Sequence, residues 1–535
     1  MISHSSRPNA LPSATGSTEH MSTRVSTIAA KRAARRFRPE DYLDRLPSPA
    51  AIGVVSAVIL AIGSHGAGAT RNRGGLLEAL NLSFLAFGHG AAVMNALVSA
   101  GLIGMVLAWV VIGRRVIVDK QYSTPLRLQH IQRALVLWCV PLLAAAPILS
   151  RDVYSYLMQG AMVRDGFDPY SEGAAVNPGP FLLEVSHDWR NTTTPYGPLH
   201  LWIGEGVTKL VGENVSAGVI AYKLISVLGF FAIAWAVPKI AARLGGDPAL
   251  ALWLGVANPV MVFHMVGGMH NESIMVGLVS VGLLAAVYHR YVSAVALIAV
   301  AVSLKATAAI ALPFVVWMVT YRYAPHMRPF GRRALAFVVS GALALIETVA
   351  VVWLVTWASG SSWGWLSEIT GNSKVINPLA APTLLTELIT PFIQLFDPTF
   401  EYNVVLQALR PIFSVLMLLG LVACWWFFRG GGKHALAGTA AAYQTAFVLS
   451  SVTLPWYYAS VISLLGTFRP PLWLCKLGVG ASIVVALAFS GSGNHQLYNV
   501  PWMAGVIIAA WLLTVYVFPL DAENRPGLAG QRRED

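Results

Sequence analysis

Charged residues are scarce in this sequence. Asp, Glu, Lys and Arg together make up 12% of its 535 residues, whereas apolar residues make up 56%. A soluble globular domain carries about 25% charged residues, which it needs to cover its surface. Apolar stretches that approach the ~20 residues of a membrane-crossing helix recur from Ala51 to Pro519. The composition therefore excludes a soluble globular protein and predicts an all-α polytopic membrane protein.

Cysteine is also rare. The three cysteines, Cys139, Cys424 and Cys475, lie in or beside predicted spans and show no paired spacing. This pattern excludes a disulfide framework and a cysteine-based metal site. Since no acidic pair has persuasive metal-ligand spacing either, we expect no metal and no other cofactor, with a divalent ion left open as the alternative.

The net charge of +12 arises mainly from basic residues in the N-terminal stretch and in loops between predicted spans, where positive charge sets the orientation of a membrane protein. The chain begins with a Ser-rich and then basic stretch, without an apolar run and cleavage site, so residues 1–45 are predicted to be a cytoplasmic tail. Residues 46–520 form the predicted membrane domain, and residues 521–535 a second cytoplasmic tail. We interpret the positive charge as a topology determinant and predict no binding to nucleic acid.

Hydropathy predicts about fourteen membrane-spanning helices. With both termini inside, the basic loops also fall inside, and the loops rich in Trp, Tyr, Asn, Pro and acids fall outside. The predicted outer loops are 151–198, 265–270, 358–403 and 491–499. The predicted spans are 49–64, 90–113, 133–150, 216–240, 248–264, 271–288, 291–304, 306–321, 334–357, 404–428, 435–453, 456–468, 472–490 and 501–519.

Three segments leave alternatives open. Residues 199–211 are apolar but contain Glu205 and Lys209, which favours an interfacial or re-entrant helix. The spans 291–304 and 306–321 are short for two crossings, so one long helix is the alternative. In the outer loop 358–403, an apolar piece is interrupted by prolines and an acid, which favours a lid or an acceptor groove over a crossing.

The first outer loop carries the densest polar sequence. Asp152 stands where a predicted span ends, between Arg151 and Val153. From Tyr154 to Val163 the apolar residues follow helical spacing, which predicts an amphipathic helix along the membrane surface. A carboxylate at this depth is suited to act as a general base on a lipid-linked substrate.

Five short motifs in this order resemble a known family. The chain from about residue 45 to 520 is similar to the GT-C class of glycosyltransferases, and within it to the actinobacterial polyprenol-phosphomannose-dependent α-1,6-mannosyltransferases that build the lipomannan backbone. The motifs are Arg151-Asp152-Val153-Tyr154-Ser155-Tyr156, Gly166-Phe167-Asp168-Pro169-Tyr170, Thr194-Pro195-Tyr196-Gly197-Pro198, Gly268-Met269-His270-Asn271-Glu272 and Leu454-Pro455-Trp456-Tyr457-Tyr458.

The resemblance implies a reaction and its partners. The donor would be a β-linked polyprenyl-phosphate-mannose, the acceptor a mannan or lipomannan, and the site would lie on the outer, extracytoplasmic face of the plasma membrane. An α-linked product implies inversion in one displacement, with Asp152 as the catalytic base. Oligomeric state stays open.

The remaining site residues are candidates. The leaving phosphate needs a cation, and the candidates are Arg151, Arg190, His270 and Lys305. The candidates for binding the acceptor or the sugar are Tyr154, Tyr156, Asp168, Tyr196, Glu272, Trp363, Trp365, Trp456 and Tyr457.

Several of these residues have a purely structural alternative. Asp152 could pair with Arg151, Asp168 could form a turn before Pro169, and Glu272 could cap the helix that follows it. Lys305 could extend its ammonium to the interface, and Trp and Tyr populate membrane interfaces generally.

Two other functions compete. A related transferase could use another polyprenyl-phosphate sugar, such as arabinose. A transporter or flippase of polyprenyl-linked intermediates would place ionisable residues near the bilayer midplane and show internal repeats, whereas the acids here gather in the predicted outer loops. We therefore favour the mannosyltransferase.

Overall fold

The computed structural model describes residues 46–119, 122–325, 329–371 and 376–519. The tails predicted for residues 1–45 and 521–535 lie outside the described residues. Within the described ranges the protein is built from helices, and its only β pairing is one isolated bridge between Phe489 and His495. This architecture confirms the prediction of an all-α protein.

We number the α-helices of eight or more residues in chain order. They are α1 (Pro49–Ala67), α2 (Gly88–Ile112), α3 (Thr124–Leu143), α4 (Asp152–Arg164), α5 (Pro198–Val211), α6 (Val215–Arg243), α7 (Pro248–Gly255), α8 (Glu272–Val287), α9 (Tyr291–Leu304), α10 (Leu312–Tyr323), α11 (Phe330–Ser359), α12 (Ala381–Gln394), α13 (Tyr402–Phe427), α14 (Lys433–Leu449), α15 (Leu472–Leu487) and α16 (Val500–Val517).

Shorter helical pieces connect these helices. The short α-helices are Leu76–Ala79, Pro180–Glu184, Pro259–Met261, Trp365–Gly371 and Ala459–Ile462; the 3-10 helices are Ser83–Ala86, Ala174–Val176, His187–Trp189, Ala306–Ala311 and Pro455–Tyr458; the π-helices are Gly113–Val118 and Val262–Gly267.

Membrane-length helices make the protein polytopic. Among the described residues, 7 helices are long and apolar enough to cross a membrane, or 8 if the bent pair Pro248–Gly255 and Pro259–Gly267, with an angle of 53°, is one span. Helices α8, α9 and α15 are apolar but shorter. The polytopic class is confirmed, whereas the predicted count of about fourteen spans stays a prediction.

The boundaries of one predicted span differ in the structure. Residues 133–150 were expected to be helical, but α3 begins at Thr124 and ends at Leu143. Pro125 favours the early start because proline is well suited to the first turn of a helix. Pro147 disfavours helical backbone in the residue before it, and Leu149 has a positive φ of 62°. Residues 144–151 are therefore an irregular segment that leads into α4.

Helix α4 is confirmed where the sequence predicts a helix, but its surroundings differ from a membrane surface. Eight of its residues, including Val153, Tyr156 and Leu157, are buried inside the protein. It packs against α5 and α6. The segment predicted as an interfacial helix at 199–211 is α5, in which Glu205 and Lys209 form an ion pair of 2.7 Å.

Helices α4 and α5 approach each other through two glycines. A Cβ atom added to Gly160 would lie 2.2 Å from the backbone carbonyl carbon of Gly204. On the same helix as Gly204, a Cβ atom added to Gly206 would meet nothing within 4 Å. Only a glycine therefore fits at position 160, and this close contact fixes the position of α4 relative to α5.

We expect Gly160→Ala to destabilise the protein by about 1–3 kcal/mol, because the added methyl group has to push two backbones apart. The control Gly206→Ala should be neutral, or stabilising by about 0.5–1 kcal/mol, since alanine is the better helix former. Thermal unfolding of the purified protein in detergent measures both. Equal melting temperatures for the two variants would contradict the close crossing.

Candidate active site

The position of Asp152 depends on the irregular segment 144–151 before it. Backbone hydrogen bonds join this segment to three other parts of the chain. The amide of Ile148 donates to the carbonyl of Gly267 (3.3 Å), that of Leu149 to Gly491 (2.8 Å), and that of Ala69 to Pro147 (2.8 Å). Buried backbone groups in irregular structure need such partners. The predicted outer loops 265–270 and 491–499 thus contact the segment that leads into the first outer loop.

A cavity opens beside Asp152. Its walls come from four separate parts of the chain: the first two turns of α4, the end of the first outer loop, the short helix Trp365–Gly371, and the segment before Ala459. The lining residues are Asp152, Ser155, Tyr156, Gln159, Trp189, Thr192, Thr193, Pro195, Tyr196, Glu368, Val452, Leu454 and Tyr457.

The Asp152 carboxylate is mostly buried, with 18% of its side chain exposed, and it has several polar neighbours. Its Oδ2 atom lies 3.5 Å from Nδ1 of His270 and accepts a hydrogen bond of 3.5 Å from the Tyr156 hydroxyl. Burial alone would raise the pKa of Asp152, but a hydrogen bond and charge from His270, the Ser150 hydroxyl and the Lys305 charge hold that pKa below its ordinary value. The group is therefore a carboxylate at neutral pH.

Arg151 does not neutralise this carboxylate. Its guanidinium donates to the carbonyl of Thr70 (2.6 Å) and to the carbonyl (2.8 Å) and side chain (3.3 Å) of Glu184. The alternative in which Asp152 merely pairs with its neighbour is therefore wrong, and Asp152 is left facing the cavity.

Lys305 and Glu272 form a buried ion pair behind the cavity. Lys305 follows the last residue of α9, and Glu272 begins α8. The Lys305 Nζ atom also lies 3.8 Å from the ring centroid of Tyr457 and 5.5 Å from that of Tyr196, both of which line the cavity. Lys305 thus reaches inward to a partner, and does not extend to an interface.

His270 is sandwiched between Asp152 and an aromatic ring. Its imidazole stacks on Trp456 with ring centroids 3.7 Å apart and an interplanar angle of 17°. A second buried histidine, His264, lies 5.5 Å from His270. Within the described residues, neither ring nitrogen of His264 has a hydrogen-bond partner. Trp456, a predicted sugar-binding residue, therefore backs His270, while its neighbour Tyr457 lines the cavity.

Gln159 lines the cavity and His200 contacts it; neither residue is among the candidates predicted from the sequence. The Asn271 amide nitrogen lies 3.3 Å from His200 Nδ1, and His200 Nε2 lies 3.0 Å from Gln159 Oε1. Burial, followed by the charge of Lys305, lowers the pKa of His200 to about 3, so its ring is neutral with one N–H. If Asn271 donates to Nδ1, Nε2 donates to Gln159, and the Gln159 amide N–H groups are left for the cavity.

Glu368 was also missed. It lies on the short helix Trp365–Gly371 and accepts a hydrogen bond of 2.5 Å from the Thr193 hydroxyl, so that the predicted lid segment 358–403 contacts the first outer loop at the cavity. Gln159 could have been found from the sequence, since it follows Asp152 by seven residues and shares its helix face. Glu368 has no comparable sequence signal.

Other predicted residues lie outside the cavity. The Tyr154 hydroxyl donates to the carbonyl of Ala69 (2.8 Å), on the other side of α4. Arg190 donates to the carbonyls of Val185 (3.3 Å) and Leu183 (3.4 Å), which stabilises its own loop.

The predicted acceptor residues at the lid also have structural partners. Asp168 accepts hydrogen bonds from the Tyr170 amide (2.9 Å) and the Ser362 hydroxyl (3.0 Å), as a turn former that also holds the lid segment. Trp363 is exposed and Trp365 is buried, with ring centroids 6.5 Å apart. In the part of the chain that the structure describes, no group of three His, Cys, Asp or Glu residues is placed to hold a metal ion.

We expect Lys305→Met to destabilise the protein by about 3–5 kcal/mol, because it leaves the Glu272 carboxylate buried without its partner. The double variant Lys305→Met/Glu272→Gln should regain most of this loss, since no unpaired charge remains. Thermal unfolding of the two variants and of Glu272→Gln completes the cycle. A single variant as stable as the parent protein would show that the pair carries no stability.

Comparisons with known proteins identify the family to which this chain belongs. Residues 50–321 match the family described as alpha-(1->6)-mannopyranosyltransferase, N-terminal domain, and residues 382–518 match the MptB C-terminal domain. Alpha-(1->6)-mannopyranosyltransferase A of Corynebacterium glutamicum is 57% identical over 86% of this chain and 96% of its own length. The protein of the same name from Mycobacterium tuberculosis is 36% identical over 90% of this chain and 91% of its own length. The resemblance of the five motifs is thereby confirmed, and the chain belongs to the alpha-(1->6)-mannopyranosyltransferase family.

Proposed function

We propose that this protein transfers mannose from polyprenyl-phosphate-mannose to a mannan or lipomannan acceptor, forming an α-1,6 linkage at the outer face of the plasma membrane. One observation carries the proposal: an ionised carboxylate, Asp152, faces a cavity that has a buried lysine behind it. The relatives' names support the sugar and the linkage, and favour mannose over arabinose and transfer over transport.

The reaction is a single displacement with inversion. The acceptor's 6-hydroxyl oxygen attacks the anomeric carbon of the β-linked donor, and its proton passes to Asp152. The bond between the anomeric carbon and the phosphate oxygen breaks, and polyprenyl phosphate leaves. One base is sufficient for this reaction, and it forms no covalent intermediate with the protein.

Lys305 and His270 are the cations or donors proposed for the leaving phosphate. Both adjoin the cavity, whereas Arg151 and Arg190 are bound to carbonyl oxygens elsewhere. A phosphate in the cavity would approach the Lys305 ammonium beside the Tyr457 ring. Because Lys305 is shielded from water, the attraction between its charge and the phosphate would be strong.

The sugar and the acceptor would occupy the rest of the cavity. Tyr156, Tyr196, Tyr457 and Gln159 line it and supply the aromatic rings and polar groups proposed to bind the sugar. Glu368 belongs to the lid segment 358–403, and we assign its side of the cavity to the acceptor.

We expect Asp152→Asn to lower mannose transfer by about 10²–10⁴-fold, because the amide accepts no proton from the acceptor hydroxyl. Asp188→Asn, in the same loop but exposed and outside the cavity, is the control and should keep full activity. Membranes supplied with polyprenyl-phosphate-mannose and a mannan acceptor measure transfer, and an immunoblot measures protein abundance. Full activity of Asp152→Asn would remove the base assignment.

We expect Gln159→Leu to lower kcat/KM for the donor by about 10–100-fold, because a buried sugar hydroxyl would lose a hydrogen bond. Gln132→Leu, an exposed position on α3, is the control. Steady-state kinetics of the purified enzyme separate the two parameters. A variant with unchanged kcat/KM would show that the Gln159 amide does not touch the substrate.

A further inference from the structure

A second cavity lies on the other side of α4 from Asp152. Tyr154 lines the second cavity and Tyr156 the first, as expected for residues two apart on a helix, which point in nearly opposite directions. The second cavity is formed where the ends of α1 and α3 meet the short helix Leu76–Ala79 and the first half of α6. Nothing in the proposed reaction uses it.

A lysine on α6 is buried at this cavity. Lys223 is 4% exposed, and its Nζ atom donates to the carbonyls of Leu142 (3.1 Å) and Ala145 (3.0 Å) at the end of α3. These two bonds use two of the three hydrogens of an ammonium group. The Lys223 side chain is therefore oriented by neutral groups, and within the described residues no carboxylate forms an ion pair with it.

A second cation stands at the mouth. Arg71 donates to the hydroxyl of Ser216 (2.8 Å), and its Nε atom lies 3.7 Å from Glu184. Glu184 already holds Arg151 and the backbone amides of residues 72 and 73, so it is shared among several donors. The other acid here, Glu78, accepts from the amide of Gly74 (2.7 Å).

The rim of the cavity is apolar and exposed. Phe87 is 72% exposed, Ile220 62%, Leu76 50% and Leu143 44%. These side chains belong to four different elements but surround one opening. A cavity with a buried lysine inside, an arginine at its mouth and an apolar rim is complementary to an amphiphile that carries an anionic head and a hydrocarbon chain.

We propose that this cavity binds the phosphate headgroup of a membrane lipid, with the lipid's hydrocarbon chain along the apolar rim. The phosphate oxygens accept from the remaining N–H of Lys223 and from Arg71, and these charge-assisted bonds supply the anion that the buried ammonium lacks. The site is separate from the Asp152 cavity and does not depend on mannose transfer. Together with the donor phosphate proposed for the Asp152 cavity, each protein molecule would hold two lipid phosphates at once.

Native mass spectrometry of the purified protein, titrated with farnesyl phosphate, tests the proposal by counting bound lipids. We expect two bound molecules on the parent protein, and one on Lys223→Met, with the affinity of the lost site reduced by about tenfold or more. Lys239→Met, at the other end of α6, is the control and should keep both. The double variant Lys305→Met/Glu272→Gln should lose the other molecule, from the Asp152 cavity.

A second variant guards against misfolding of Lys223→Met. Ser216 is exposed in the first turn of α6, where an acidic residue favours the helix. In Ser216→Asp the new carboxylate binds Arg71 in place of the phosphate, so we expect the same loss, while Ser216→Ala should keep the site.

Three results would overturn the proposal. Unchanged lipid counts and affinities in both Lys223→Met and Ser216→Asp would show that these cations do not hold a phosphate. Equal binding of farnesol would show an apolar cavity without headgroup recognition. Equal binding of inorganic phosphate, with no gain from the farnesyl chain, would show a site for free phosphate.

Discussion

Glu184 is a carboxylate with 1% of its side chain exposed, and a charge buried this deeply is tolerated only where it is paired. It accepts from the amide of Asn72 (2.6 Å) and from Arg151, whose guanidinium also binds the carbonyl of Thr70 (2.6 Å). The pair therefore joins two loops to the residue before Asp152. With Arg151 held there, the Asp152 carboxylate has other neighbours and lines the cavity.

The sequence predicted much of this arrangement because its signals are local. The all-α polytopic class follows from apolar stretches, and Asp152 stands out as a carboxylate where such a stretch ends. Lys305 and Glu272 were each selected as candidates, but for different roles. Their pairing could not be predicted, since 33 residues separate them and the contact forms only when the ends of α8 and α9 meet. Trp456 and Tyr457 show the same limit, because the backbone decides which of two adjacent rings faces the cavity.

Two residues near the site were not predicted, and they differ in whether a local pattern could have identified them. Gln159 shares a helix face with Asp152, and helical periodicity alone could have found it. His200 matters only through its contacts with Gln159 and Asn271, which come from two other segments. Arg151 and Arg190 were reasonable phosphate candidates by charge, but each is held by backbone carbonyls whose positions no local pattern reveals. The identity of a side chain can be read from sequence, whereas its partner is a property of the fold.

The charges around the Asp152 cavity also link donor binding to proton transfer. Lys305 helps to hold the pKa of Asp152 low, and it already shares its charge with Glu272. A donor phosphate that binds Lys305, as proposed, adds a negative charge near Asp152. It also offsets part of the Lys305 positive charge that otherwise stabilises the Asp152 carboxylate. Both effects raise the proton affinity of Asp152, since a nearby anion disfavours a second one. Under the proposed mechanism, the carboxylate would be a weaker base in the empty site and a stronger one with the donor in place. Basicity would then rise at the stage of the reaction where the acceptor hydroxyl has to lose its proton.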